Sequence, residues 1–579
     1  MTTLHPRIIE PSGADTLASG RGRDSHDKHN SPSLVLLVVI ATIGILAYAN
    51  FLLNPASRGD WLPYSLVIVA ESSLIFQALL SMWTILSGAQ DPRDFAFHQA
   101  KAALFTARSA HRMETGQGHD RSLYLGGQPT SVDVFITTYG ESVDVIRETV
   151  SAALAIRGAH ITWVLDDGRA DEVRDLAAEL GARYLRRLSS NGAKAGNVNH
   201  ALTASSGEYF VIFDADFVPE PDFLVETLPF FIDYRVAFVQ TPQAYRNLHN
   251  VISRGAGYMQ SVFYRFIQPG RNRFNAAFCV GTNVIFRRDA INDVGGMYTD
   301  SKSEDVWTSL KLHERGWKTI FIPMVLATGH APDTVEAYTK QQLRWATGGF
   351  EILLTNNPLS PRRRLTFDQR VQYLVTASFY LTGIAPLLLL VVPPLEIYFD
   401  LRPVTISTSL ATWLLYYAGF YLLQVALAFY TMGSFRWETL MLAAASFPIY
   451  LAALANVIIG KEQQWRATGN KSTVASPFNF MIPQVLVFVF LLLTSVVAVW
   501  RDLGIGAPTL ATAWNVTNTI ILGSFIGAAL HESRATRLSA AVERHGLRRP
   551  RRSIEWPGAP VPAAASLTAD APGREAVTA

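Results

Sequence analysis

Along the chain, apolar and polar positions fall into two regimes. Uncharged or nearly uncharged apolar runs occupy residues 33–53, 64–86, 373–395, 408–431, 438–459, 479–500 and 510–530, each close to the roughly 20 residues a helix needs to cross hydrocarbon. Between the second and third runs lie about 280 residues with no convincing crossing. There, from about residue 130, short β-branched and aromatic runs alternate with helix-like stretches, the pattern of an α/β layered domain. Runs 132–136 (VDVFI), 161–165 (ITWVL) and 209–213 (YFVIF) predict strands, each leading into a polar turn. Ligands of open parallel sheets sit beyond the carboxyl ends of the strands, so the three turns are expected to converge on one cleft.

The run 33–53 begins too far from Met1, and lacks the basic start and cleavage site, to be a secretory signal; it is expected to remain as the first span. Glu71 interrupts the second run, and a carboxyl inside an apolar span reads either as part of a conduit wall or as a pairing group. Arg534, Arg537, Arg544, Arg548, Arg549, Arg551 and Arg552 follow the last run, and the positive-inside rule places them in the cytoplasm. Seven crossings would put them outside. Six crossings, with 438–459 and its Pro448 lying along or dipping into the surface, put them and Lys461, Arg466 and Lys471 inside, with both termini cytoplasmic. The Ser-, Gly-, Pro- and Ala-rich ends, 1–31 and 553–579, are expected to be disordered.

Composition averages over these regimes: 49% of residues are apolar and 17% charged, with a mean hydropathy of +0.17. A purely soluble enzyme, a disordered chain and a disulfide-stapled secreted module are all excluded. Cys279 is the single cysteine, which forbids an intramolecular disulfide or a cysteine-based zinc site and fits a reducing compartment. A net charge of +3 argues against nucleic acid as the main partner.

Candidate chemistry lies in the turns. Asp214 and Asp216, two apart after a strand, can aim both carboxylates at one Mg²⁺ and the diphosphate it carries, although Asp-X-Asp is also a common acidic surface turn. Asp166-Asp167-Gly168 reads equally as an ordinary strand-ending turn. Lys194 is a diphosphate partner or a solvated lysine. Ser303-Glu304-Asp305 precedes an amphipathic stretch and has the composition of a helix cap. Gln341, Arg344 and Trp345 share one helical face, suited to a diphosphate and a stacked sugar ring or, equally, to anchoring at a membrane surface.

In order, these pieces read Asp166-Asp167-Gly168, Asp214-Ala215-Asp216, Ser303-Glu304-Asp305 and Gln341-Gln342-Leu343-Arg344-Trp345, and they resemble the D, D-x-D, [T/S]-E-D and Q-x-x-R-W motifs of the processive family-2 glycosyltransferases, the cellulose synthase superfamily. The resemblance extends over about 64–500. It takes in Thr138-Tyr139-Gly140-Glu141, Lys194-Ala195-Gly196-Asn197, the segment 278–283 around Cys279, and 465–471, which is similar to a gating loop with Trp465, Thr468 and Lys471 at its positions. Gly140 stands where the family carries Asn, Ser303 where it usually carries Thr, and Trp465 where it carries Phe; the segments at Cys279 and Trp465 each hold one extra residue.

The resemblance implies a GT-A (Rossmann-like) α/β glycosyltransferase domain inserted in a multi-span α-helical membrane domain. The expected divisions are a tail over 1–31, two spans over 32–87, the cytoplasmic catalytic domain with interface helices over 88–365, a channel domain over 366–531 with the gating-like loop 460–476, and a basic, then disordered tail over 532–579. A UDP-sugar donor is expected near Thr138, Tyr139, Glu141, Asp166 and Asp167, with Lys194, Gln341 and Arg344 on its diphosphate side and Mg²⁺ or Mn²⁺ on Asp214 and Asp216. Asp305 is the implied general base, and Cys279, Glu304 and Trp345 face the polysaccharide acceptor. Trp413, Tyr416, Tyr417, Phe420, Tyr421, Phe429 and Tyr430 could line a sugar path through the membrane or face lipid.

The expected product is a β-glucan made from UDP-glucose with inversion, cellulose-like β-1,4 ahead of β-1,3, and extruded across the inner (plasma) membrane. An accessory periplasmic or regulatory subunit remains compatible. Fewer than 50 residues with little β pattern follow the last run, so no cyclic-di-GMP-binding PilZ barrel is expected in this chain. Two alternatives stand: a non-processive transferase acting on a polyprenyl phosphate or lipid, and a nucleotide-binding export channel without catalysis. Asp305 together with the Asp214–Asp216 pair argues against the channel, which has no need of a base.

Overall fold

The computed structural model describes residues 32–88, 91–106, 121–405, 422–423, 425–430, 436–460 and 477–544, with side chains as far as 534. Trp465, Thr468 and Lys471, the aromatic residues from Trp413 to Tyr421, and both tails lie outside the described residues.

The expected strands are present and run one or two residues further than the apolar pattern suggests. β1 (Val132–Thr138), β2 (Ile161–Asp166), β3 (Arg183–Arg186), β4 (Tyr209–Asp214), β5 (Val236–Gln240), β6 (Val284–Arg287) and β7 (Lys318–Phe321) form one sheet in the order β7-β5-β6-β4-β1-β2-β3. All neighbours pair in parallel except β6, which runs antiparallel to both β4 and β5. β1, β4 and β5 are buried along nearly their whole length, as expected of a sheet covered on both faces. Val134, Ile136, Val211, Phe213 and Val239 face one core; Phe135, Leu165, Phe210, Ile212 and Phe238 face the other. This is the α/β GT-A arrangement that the sequence predicts.

Among the described residues, six helices are long and apolar enough to cross a membrane. They are α1 (Pro32–Leu53), α2 (Trp61–Ser87), the span Phe367–Phe399, the stretch Trp437–Ile459, the helix Ile482–Ile505, and Leu510–Arg534 of the last helix. Glu71 is buried within α2. The run at 408–431 is described only in part; there Tyr430 Oη lies 2.7 Å from Ser33 Oγ at the start of α1.

The remaining helices that bear on the site, in chain order, are α3 (Ala193–Ala204), α4 (Val251–Val262), α5 (Glu304–Glu314) and α6 (Val335–Leu354). The spans that follow are α7 (Phe367–Phe399), α8 (Trp437–Ala445) with α9 (Phe447–Ile459), α10 (Ile482–Ile505) and α11 (Leu510–Arg544).

Trp437–Ile459 is broken at Ser446, just before Pro448, and both ends adjoin residues that lie between the second and third spans. Glu438 of α8 pairs with Arg254 of α4 at 3.0 Å. Asn456 and Gly460 at the far end share a cavity wall with residues 298–302. The span α7 and the helix α10 run in the same direction: Arg501 near the end of α10 donates to the Glu396 carbonyl near the end of α7 at 2.9 Å, and Tyr398 Oη lies 3.1 Å from Thr494 Oγ1.

Candidate active site

Two carboxylate turns stand at the ends of β2 and β4. After β2, Asp166 is 1% exposed and its carboxylate accepts four hydrogen bonds, from Gly168 N, Ala170 N and Tyr184 Oη at 2.8 Å and from Thr138 Oγ1 at 3.2 Å. Asp167 forms a two-pronged pair with Arg187, whose Nε and Nη2 lie 2.6 Å from its two oxygens. Arg187 also donates to the carbonyls of Asn191 and Ala193 at 2.5 and 2.6 Å. It thereby holds the turn, with Gly192 and Ala193 at positive φ, from which α3 and Lys194 emerge. Both carboxylates expected to meet the donor are thus already engaged in building the loop.

The turn after β4 is different. Lys194 Nζ binds Asp214 Oδ1 and donates to the Gly281 carbonyl at 2.7 Å. Thr137 Oγ1 donates to Asp214 Oδ1 at 3.2 Å, and Thr282 Oγ1 accepts from Asp214 N at 2.9 Å. Gly281 has φ +86, and a Cβ placed on it would lie 3.3 Å from Asp305 Oδ2 and 3.8 Å from Lys194 Nζ. The glycine therefore lets the end of β4, Lys194 and Asp305 close on one point. Glu141 accepts from Tyr139 N at 2.6 Å and folds the turn after β1 toward the same point.

Negative charge exceeds positive charge here, and the carboxyls register it. Burial, then Asp214 and Glu141, push Asp216 up to about 7. Burial, then the adjacent Glu304, push Asp305 up to about 7. Glu141 and Glu304 are raised mainly by burial, with Lys194 and Arg344 pulling Glu304 back. Burial works against the charge of Lys194, and Asp214 outweighs it, so its pKa lies above the ordinary lysine value.

α5 begins at Glu304, as the sequence predicts, but Ser303 makes no side-chain cap bond. The reason is packing. α6 crosses at Gly348, where any Cβ would fall 1.8 Å from Ser303 Oγ, so the hydroxyl is occupied by the crossing. That contact brings the Gln341–Arg344–Trp345 face toward Glu304 and Asp305, both of which feel the Arg344 charge. Gln341 Oε1 is buried with no hydrogen-bond partner among the described residues, while Gln342 accepts from Tyr450 Oη of α9 at 3.0 Å. Cys279 is wholly buried and its Sγ accepts from Gly281 N at 3.2 Å, so it shapes the turn rather than presenting a surface to a sugar.

Gly281 and Thr282 fall in the segment 278–283 that the resemblance takes in, whereas three further positioning residues carry no sequence signal: Arg187, Tyr184, and Glu532 of α11, whose Oε2 accepts from Val335 N at 2.9 Å at the start of α6. Each acts on a partner at least 18 residues away, except Gly281, whose role is conformational.

Asp214 and Asp216 fit a hard divalent cation: oxygen donors only, on a half-buried turn with surplus negative charge. Among the described residues no cluster of three or more His, Cys, Asp or Glu could hold a metal, so a cation on Asp214 and Asp216 would complete its shell with diphosphate oxygens or water.

The family model described as Glycosyl transferase family group 2 matches residues 209–501. A cellulose synthase catalytic subunit (UDP-forming) from Xanthomonas axonopodis pv. citri is 37% identical over 267 residues, 44% of this chain and 36% of that protein. Its counterpart from Pseudomonas fluorescens is 34% identical over 274 residues, 45% of this chain and 37% of that protein. The matched stretch thus spans little more than a third of the length of these relatives. A mannosyltransferase from Pyrobaculum calidifontis, solved with GDP-Man and Mn2+, aligns at 16% identity with a TM-score of 0.45, covering 69% of this chain and 100% of that one.

Proposed function

Because the chain belongs to glycosyl transferase family group 2, we propose that it is a membrane-embedded, processive, inverting β-glycosyltransferase that polymerises a UDP-sugar. The observation that carries this reading is the meeting of Asp305, Lys194 and Asp214 around Gly281, within reach of the Arg344 charge. A base poised near neutrality stands beside cations suited to a diphosphate.

In the proposed reaction an acceptor hydroxyl attacks the anomeric carbon of the donor, Asp305 takes the hydroxyl proton, and the bond from that carbon to the diphosphate oxygen breaks to release UDP. Lys194 and Arg344 bind the diphosphate and stabilise its growing charge. Asp214 and Asp216 would hold Mg²⁺ or Mn²⁺, which when bound supplies further charge neutralisation on the leaving diphosphate. Tyr139 and the main chain around Glu141 meet the base over a floor set by Asp166 and Asp167. Trp345 stacks the acceptor sugar and Glu304 lies beside it.

The named relatives favour UDP-glucose and a β-1,4-glucan. We place the catalytic domain in the cytoplasm below an inner-membrane channel domain, with α8 and α9 along the interface. Support comes from the contacts at both ends of that stretch and from the parallel course of α7 and α10, which requires an odd number of crossings between them. The domain divisions given above and the outward passage of the chain belong to the same proposal.

The test is UDP release by the purified, detergent-solubilised full chain with Mg²⁺ or Mn²⁺, offered UDP-glucose, UDP-N-acetylglucosamine and UDP-glucuronate separately. Release from UDP-glucose, with insoluble product cleaved by a β-1,4-glucanase, supports the reading. Release coupled only to a polyprenyl phosphate, or nucleotide binding without release, would overturn it.

A further inference from the structure

A cavity of about 550 Å³ opens beside the catalytic helices, between the loop 298–302, Trp307 of α5, the second half of α6 and the end of α9. Its volume is that of a small-molecule site. Its lining is more polar than apolar: hydroxyls, the amides of Asn356 and Asn456, and three charges, Asp300, Lys302 and Glu351, beside Tyr298, Trp307 and Val457. With Lys311 and Arg363 set against the lining rings and Arg363 paired with Glu314, positive and negative charges around the cavity balance, so the wall offers no charge surplus to a phosphate or nucleotide.

The aromatic faces are also taken. Tyr298 and Trp307 stack on one another with centroids 5.1 Å apart at 19°, Lys311 Nζ lies 4.3 Å from the Tyr298 centroid, and Arg363 lies 5.7 Å from that of Trp307. No ring is left to stack a nucleobase. The Trp307 indole N–H is buried and has no hydrogen-bond partner among the described residues. An uncharged ligand rich in hydroxyls matches such a wall: it brings an acceptor for the Trp307 N–H and partners for the lining hydroxyls and amides without adding charge, next to the Ser301–Glu351 hydrogen bond already made at 2.6 Å.

We propose that this cavity is a second saccharide-binding site, separate from the cleft at Asp305, which takes a neutral sugar of one or two rings. Its position gives the occupant leverage. Thr347 and Glu351 lie one and two turns beyond Arg344 on α6, and the loop 298–302 leads directly into Glu304 and Asp305. A bound sugar therefore braces the Arg344 helix against the segment that carries the base. The binding rests on the cavity alone, whereas the effect on transfer rests on the proposed function.

The test uses the full-length detergent-solubilised protein without donor, and saturation-transfer NMR with cellobiose, glucose and UMP as probes. Cellobiose is expected to bind in the range of about 1–10 mM, a weak hydrogen-bonded affinity. Thr355→Trp, which fills the exposed rim of the cavity, is expected to weaken it at least about tenfold, the effect of losing the whole contact set. Trp307→Phe, which removes one donor, weakens it about two- to tenfold. With UDP-sugar present, saturating cellobiose raises kcat about fivefold with KM unchanged, a modest allosteric coupling.

Absence of a cellobiose signal from folded protein, a signal unchanged in Thr355→Trp, or UMP binding that Thr355→Trp abolishes would overturn the site. Cellobiose binding that leaves kcat unchanged would overturn the bracing. Cellobiose binding without UDP release from any donor would sink the proposed function and leave the site standing.

Discussion

The two carboxylate turns after β2 and β4 are built from the same residue type at the carboxyl ends of the two strands that flank β1, and do opposite things. Asp166 and Asp167 are saturated: four hydrogen bonds on one, a paired guanidinium on the other. Asp214, Asp216, Glu304 and Asp305 crowd around a single lysine with Arg344 nearby, and two of them are pushed up to about 7. A carboxylate whose bonds are all made by its own chain is a structural joint. One left short of positive charge is a place for something yet to arrive, and only the second kind is expected to govern turnover.

The largest effect separating the two is Asp305→Asn, which should lower UDP release by about 10³-fold, the middle of the range for losing a positioned base. The chain should remain folded. In the apo protein Asp305 prefers its proton, so its contribution to stability is full below 3.8 and is lost as pH rises through about 7. Asp305→Asn should therefore melt higher than the parent at pH 8 and level with it near pH 4 in thermal scans; a lower melt at pH 8 would break the distinction.

Arg187→Ala tests the saturated turn and should behave in the reverse way. Leaving Asp167 buried without its partner is expected to cost about 3–5 kcal/mol in denaturant unfolding. Because Arg187 also holds the Asn191 and Ala193 carbonyls, the folded remainder should lose donor affinity through a displaced Lys194. Full stability with unchanged KM would refute the structural role.

A third measurement is the pH profile of the parent enzyme. As Asp305 must be ionised to accept a proton, kcat/KM should rise about tenfold per unit up to about pH 7 and then level off. A plateau that begins at pH 5 would show that the carboxyl is not held up by burial. The smallest effect is Tyr184→Phe, which removes one of the four bonds to Asp166 and should cost about 1.5 kcal/mol of stability with little change in kcat.

The chain announces much of this plainly. Strand-to-turn boundaries at Asp166 and Asp214 are legible because the apolar runs stop there, and the Gln341–Arg344–Trp345 face follows from helical spacing. The division of labour between the two turns is not legible, because Arg187 reaches Asp167 across 20 residues and Glu532 reaches α6 across 197. Nor does composition show that Cys279 is sealed from the cleft, or that Ser303 gives up its capping bond to the crossing at Gly348, since both depend on how closely distant backbones approach. The stretch 438–459 is the instructive case: its apolarity alone suits a membrane crossing, the arginines after the last run argue that it lies along the surface, and both its ends adjoin residues between the second and third spans.

The crossing at Gly348 makes α5 and α6 a pair of scissor blades riveted at one point. Blades so joined share one pivot, so a shift of either backbone at the rivet is handed directly to the other. Under the proposed function, any added bulk at Gly348 would therefore reach the base and the Arg344 face together.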